Sequence, residues 1–189
     1  MLLVTRPFGR RSFRIVQCLG VTLAVAAALA APLNNAPAQA AAGDLLCVFA
    51  AQANFTPPLT ATNHSARASA TLGLVGCMSP NGMYSDLKSA TWTASGTATA
   101  APGPNPCSLL LRLVVTGPAI WSPTGEQSTF TGTFNTNLSA GPIKIGVDVT
   151  KGVLAGETGP AVPVPIPNLE CAINGLTSLT AFPGLIFFN

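Results

Sequence analysis

From about residue 46 onward, apolar and polar residues alternate with a period of two, and this pattern more than any other limits what the chain can fold into. Ala66, Ala68, Ala70, Leu72 and Leu74 alternate with Arg67, Ser69, Thr71 and Gly73, and Ile143, Ile145, Val147 and Val149 alternate with Lys144, Gly146, Asp148 and Thr150. Successive side chains of a strand point to opposite faces, so each run reads as a strand with one buried side. Weaker or more continuous versions cover residues 46–53, 89–99, 109–116, 128–135, 176–182 and 185–188. No segment of this region carries a convincing helical stripe. Ser79-Pro80-Asn81-Gly82, Ser122-Pro123-Thr124-Gly125, Ala140-Gly141-Pro142 and Phe182-Pro183-Gly184 punctuate the runs. Each joins a proline that presets φ to a glycine that tolerates positive φ. The expected fold is all-β, an antiparallel sandwich or barrel of about eight to ten strands.

Two stretches are poor central strands. Pro102, Pro104 and Pro106 alternate in one, and Pro163, Pro165 and Pro167 alternate in the other. Proline cannot donate to a ladder, so these are expected as extended crossings or as covers over a sheet edge.

The first forty residues have a different character. Arg6, Arg10, Arg11 and Arg14 form a positive segment without an acidic residue, residues 15–31 carry no charge, and Ala38-Gln39-Ala40 supplies a small-x-small cleavage pattern. The expectation is an export signal cleaved after Ala40, leaving a single domain over residues 41–189. Pro32 and Pro37 close the apolar run, which argues against a stable membrane anchor. The mature chain is then secreted, extracellular or associated with the cell wall. The general secretory route is favoured, while Arg10-Arg11-Ser12-Phe13 is a partial match to the twin-arginine signal.

Removing the signal changes both charge and cysteine count. The nine basic residues of the whole chain fall to five, Arg67, Lys88, Arg112, Lys144 and Lys151, against Asp44, Asp86, Glu126, Asp148, Glu157 and Glu170. The basic excess thus belongs to the signal, and no nucleic-acid partner is expected. Cys18 would also leave with the signal, so Cys47, Cys77, Cys107 and Cys171 remain as an even set. Four cysteines in an exported chain allow three pairings. Cys47 with Cys77 and Cys107 with Cys171 are preferred, because the first ties neighbouring early strands and the second returns the last strand to the middle of the chain. Zinc is disfavoured by the wide intervals, the lack of a Cys-x-x-Cys pair and the single nearby histidine, His64. No metal or other cofactor is expected.

The order of Cys47, Phe55-Thr56-Pro57-Pro58-Leu59, the strand into Cys77, the strand after Cys107, the segment from Trp121 through Ser128, the glycine-rich residues 143–156 and the closing Leu169-Glu170-Cys171 resembles small secreted β-rich proteins of high-GC, actinomycete-type bacteria. The resemblance covers most of residues 41–189. It implies export and a β-rich fold, and it implies no activity.

Catalytic chemistry is sparsely provisioned. A serine triad needs a histidine to accept the proton, and His64 has no Gly-x-Ser-x-Gly elbow to serve. Its polar surroundings, Thr62-Asn63-His64-Ser65, read as a solvated loop. A cysteine nucleophile would need a free thiol. Residues 141–146 lack the Walker spacing and read as a strand bend rather than a phosphate loop. The sequence therefore favours a noncatalytic binding or structural protein, with a cell-envelope glycan or protein as partner. Contact would come through a loop such as that of Trp121, read as a stacking platform, or through a cavity between sheets. The enzymatic alternative is a carbohydrate-active protein using Glu126 and Glu157 as a carboxyl pair. A membrane-active or pore-forming β protein is a further alternative, opposed by strands expected to fall short of the roughly nine to eleven residues of a tilted span.

Overall fold

The computed structural model describes residues 43–189 apart from Pro104. The export segment, the cleavage position at Ala40 and Cys18 lie outside the described residues. The described part is all-β. Its strands are β1 (Leu45–Leu59), β2 (Ser65–Met78), β3 (Ser89–Ala100), β4 (Leu111–Ser122), β5 (Gln127–Asn135), β6 (Lys144–Gly152), β7 (Thr158–Pro160), β8 (Pro165–Pro167) and β9 (Leu176–Phe188). A single turn of helix, α1 (Cys171–Asn174), precedes β9.

All nine strands join one antiparallel sheet in the order β7-β6-β5-β4-β3-β2-β1-β9-β8. The sandwich expectation gives way here to one sheet curled into a half-barrel. β1 to β7 form a meander, and β9 returns to pair with β1, placing Leu45 opposite Phe188 and Ala53 opposite Leu179. Residues 176–182 and 185–188 form one strand, not two. Pro183-Gly184, read as a turn, is instead an irregularity opposite Phe49 to Ala51, where the register shifts.

The period of two sets the inside and the outside. β2 buries Ala66, Ala68, Ala70, Leu72 and Leu74 while exposing Arg67, Ser69 and Thr71. β3 does the same with Ala90, Trp92 and Ala98 against Thr91, Thr93 and Thr97. Alanines on the concave side of β2 and β3 let the sheet curl tightly. The large side chains Phe130, Phe134 and Phe188 come from β5 and β9 on the other side of the lumen. Two glycines enforce the curl between β3 and β4. A β-carbon on Gly117 would stand 1.9 Å from the carbonyl oxygen of Thr93, and one on Gly96 would stand 2.0 Å from that of Val114. Only glycine permits backbones this close.

β1, β2, β3, β4 and β9 run 12 to 15 residues, so the expectation of short strands was wrong. The outward rows of β2 and β3 carry hydroxyls and Arg67 where lipid-facing strands carry apolar residues. No helix among the described residues is long and apolar enough to cross a membrane.

The curled sheet closes on itself at one end. The Thr158 N–H donates to Asn189 O at 3.0 Å, the Asn189 N–H donates to Thr158 O at 3.1 Å, and Ala161 bridges Ile186. Beyond Ala161 the chain leaves β6 and runs along β9 as β8, which pairs Pro165 with Ala181 and Pro167 with Leu179. The proline-rich stretch thus covers a sheet edge with residues that have no N–H to offer a further strand. Toward the other end no ladder joins the start of β6 to β8 among the described residues, and this unpaired stretch between the two edges is the slit in the wall.

Both disulfides join the preferred partners. Cys47 and Cys77 are bonded with sulfurs 2.07 Å apart, linking β1 to β2, and Cys107 and Cys171 are bonded at 2.03 Å, tying α1 to the turn before β4.

Candidate functional site

The half-barrel encloses an apolar lumen. At the closed end it is filled by an aromatic plug. The Trp121 ring centroid lies 6.1 Å from that of Phe130 and 6.4 Å from that of Phe188, each at a 70° interplanar angle, and Phe130 and Phe188 are 5.9 Å apart. Such tilted and edge-to-face pairs contribute beyond the area they bury. Trp92 lies above Phe130 at 6.2 Å, and its indole N–H donates to Gly117 O at 2.9 Å. It fits because Gly132 faces it: a β-carbon there would stand 2.6 Å from the indole ring.

Above Trp92 the plug stops and a cavity of about 110 Å³ opens. Its wall comes from nearly the whole circumference, with Phe49, Ala53, Ala70, Leu72, Val115 and Phe134 as principal contributors, and no charged side chain among the described residues lines it. Ile145, Gly146, Ala161, Pro163 and Ala181, all only partly buried, form the side next to the slit between β6 and β8. An apolar cavity of roughly 150 Å³ accepts benzene. At about 110 Å³ this lumen is somewhat smaller, on the scale of one small ring or a short alkyl segment.

The residues singled out from sequence lie elsewhere. Trp121 is 0 % exposed, and its indole N–H donates to Ser128 Oγ at 3.0 Å, while Ser128 in turn donates to the Val153 carbonyl. A ring so enclosed has no free face for a sugar. The stacking-platform reading is therefore corrected: alternation along β4 turns Trp121 inward with Ala119, and its proximity to a turn misled.

Glu126 is exposed in the turn between β4 and β5. The carboxylate that stands against Glu157 is that of Asp44, from just before β1, and not that of Glu126. Burial first, and then the neighbouring Asp44 carboxylate, hold Glu157 above its ordinary value, and Glu157 Oε2 is buried without a hydrogen-bond partner. Tyr84, from the loop between β2 and β3, is pushed up by burial and by the charges of Glu157 and Asp44. Asn81 of the same loop donates its amide to Asp44 Oδ1. The raised Glu157 carboxyl and the neighbouring Asp44 thus meet where the residue before β1 approaches the β6–β7 loop.

The sign of the pH dependence follows from the raised Glu157 value. Folding favours its protonated form, so the contribution is complete below about pH 4, where an unfolded glutamate is also protonated. It is lost as pH rises through the higher folded value. Glu157→Gln is expected to match or exceed the parent in thermal stability at pH 7 and to lose that advantage near pH 4. Parallel melting curves at both pH values check it, and a constant difference between the proteins would refute the assignment.

His64 is partly buried between β1 and β2, and its Nδ1 has no hydrogen-bond partner. No serine hydroxyl or carboxylate hydrogen-bonds to it among the described residues.

No family model matches the chain, and no curated protein or solved structure does so either. The functional reading therefore rests on geometry. The lumen residues are not marked in the sequence, where Ala53, Ala70, Leu72 and Val115 read only as core. The available signal was size: inward positions of β2 and β3 are mostly alanine, too small to fill a barrel that bulkier strands hold apart.

Proposed function

We propose that the chain is an exported, noncatalytic binding protein that holds a small apolar molecule, or the apolar part of a larger one, in the half-barrel lumen. The observation that carries this reading is the uncharged cavity beside a slit in an otherwise packed interior. Ligand sites are characteristically concave, mostly apolar and preformed, and the mouth of a small β-barrel is one of their usual places. The cavity is walled by both sides of the sheet, so the fold presents it without rearrangement. Export, which rests on the first forty residues, agrees with the two disulfides, since such bonds persist in oxidising compartments.

The test is to fill the lumen. Ala70→Leu adds an apolar branch from the cavity wall, and Ala53→Leu does so from β1. Both are expected to retain the parental circular dichroism and melting temperature, because the added volume enters empty space rather than a packed contact. Binding of N-phenyl-1-naphthylamine, whose phenyl ring would enter the lumen while the naphthyl group lies in the slit, is followed by its fluorescence and is expected to weaken at least tenfold in each. A parent protein that does not bind the dye, or filled variants that bind it equally well, would remove the lumen as the site.

A further inference from the structure

Large apolar side chains are not spread evenly over the outside of the half-barrel. Among the described residues sixteen are exposed, and eight of these, Val162, Val164, Ile166, Leu169, Ile173, Phe182, Leu185 and Phe187, fall within residues 158–189. That segment contains one charged residue, Glu170. The sheet register brings part of this set into a continuous row. Leu185 lies opposite Val48, and Val48 lies opposite Val75. Val162 stands beside Leu185, next to the Ala161–Ile186 bridge, and Val164 accepts a backbone hydrogen bond from Phe182. The row thus crosses β2, β1, β9 and the strand-like cover from β7 to β8. The convex face over β2 and β3 is different, carrying Arg67, Ser69, Thr71, Thr93 and Ser95. One side of the barrel is hydroxylic, and the other is apolar.

Neighbouring residues of the cover face opposite ways. Ala161 and Pro163 line the lumen, whereas Val162 and Val164 are 82 % and 66 % exposed. The apolar exterior therefore begins at the mouth of the cavity.

We infer that this face, centred on Val162, Val164, Phe182 and Leu185, docks on the surface of an uncharged or zwitterionic lipid layer. Three observations select that occupant. The row lacks basic residues, and the only charge in residues 158–189 is negative, which fits a surface held by apolar contact and not by attraction to anionic headgroups. The outermost strand carries Pro165 and Pro167, and Pro163 precedes it, so the cover is poorly equipped to pair with a peptide strand or with the same strand of a second copy. Finally, the apolar surface is continuous with an uncharged cavity, so docking would open the slit toward a phase in which an apolar ligand is dissolved. On β9 the backbone is paired with β1 along most of its length and, at Leu179 to Ala181, with β8, so there it is chiefly side chains that meet the interface.

The inference goes beyond lumen binding, and the two fail separately. The experiment is flotation of the purified full-length chain with phosphatidylcholine vesicles, with and without a fifth of phosphatidylglycerol, at low and high salt. Parent and variants share the same N-terminal residues, so any contribution from these cancels. The parent is expected to float with both vesicle types to a similar extent, independently of salt and without releasing an entrapped dye. Val162→Asp combined with Val164→Asp is expected to reduce the bound fraction at least tenfold while leaving dye binding in the lumen intact. The second variant, Leu185→Asn, changes an exposed position on β9 and is expected to reduce it severalfold. Ala70→Leu is expected to float like the parent. Equal flotation of parent and the double variant, flotation only with the anionic lipid, dye release, or concentration-dependent dimerisation abolished by the same substitutions would each overturn the docking proposal.

Discussion

Trp121→Ala is expected to lower the stability of the fold by about 3 to 5 kcal/mol, the range for removing a fully buried large aromatic. The side chain is wholly enclosed, and Phe130 and Phe188 both lean on its ring. Truncation therefore leaves a cavity beneath two other aromatics and strips Ser128 Oγ of its indole donor. Trp121→Phe separates the two contributions: it keeps most of the volume and loses only the hydrogen bond, for which about 1 to 2 kcal/mol is expected. Urea denaturation followed by circular dichroism measures both. Glu126→Gln, only five residues away on the exposed turn, is expected to stay within about 0.5 kcal/mol of the parent. If Trp121→Ala were as stable as Glu126→Gln, the aromatic plug would not be what holds the closed end together. The same prediction warns against reading lost binding in a Trp121 variant as a lost contact with ligand, since such a variant perturbs the fold itself.

The second large effect comes from the Cys107–Cys171 bond, which spans 64 residues. On the chain-entropy account, closing a loop of that length restricts the unfolded state by about 4.3 kcal/mol, whereas the 30-residue closure by Cys47 and Cys77 corresponds to about 3.6 kcal/mol. Replacing Cys107 and Cys171 together by serine is expected to lower the denaturation midpoint more than the matching change at Cys47 and Cys77 if loop length alone decides. Packing opposes that order. Cys47 is wholly buried and Cys77 nearly so, within the core shared by β1 and β2, while Cys107 is only partly buried. Two serines at the first pair would therefore add buried hydroxyls to the lost constraint. A larger loss at Cys47 and Cys77 would show that burial outweighs chain length here, and a larger loss at Cys107 and Cys171 would show the reverse.

The fold was legible where one rule decides the outcome. Period-two alternation identified β2 and the inward positions of β6, because a strand can send alternate side chains only to opposite faces. The alternate prolines of residues 163–167 marked an edge because they lack donors, and they cover one. Alternation does not, however, determine whether the sheet folds over a second one or curls on itself. That depends on inward residue size and on Gly96 and Gly117, whose role emerges only when strands β3 and β4 are side by side.

The candidate site was less legible. Trp121 drew notice because tryptophan near a turn can present a ring to solvent, but its place in the inward register of β4 decided otherwise. Glu157 was noticed for its loop, yet its partner is Asp44, more than a hundred residues earlier, brought near by the pairing of β1 with β9 and of β9 with Thr158. A cavity is a still harder case, since it consists of what several distant strands fail to fill. No single residue of the sequence marks it.

The pairing of β9 with β1 also sets an order of events for the growing chain. The six strands β1 to β6 pair with their neighbours in sequence, so their contacts are local and can form as the polypeptide emerges. The free edge of β1 has to wait for the last strand, which is drawn from more than a hundred residues away. Contacts at such separation form slowly, and until they do β1 offers unpaired N–H and C=O groups along 15 residues. The most vulnerable moment in the life of this molecule therefore falls between the completion of the meander and the arrival of β9, when an open template has been built and its intended partner has not yet come.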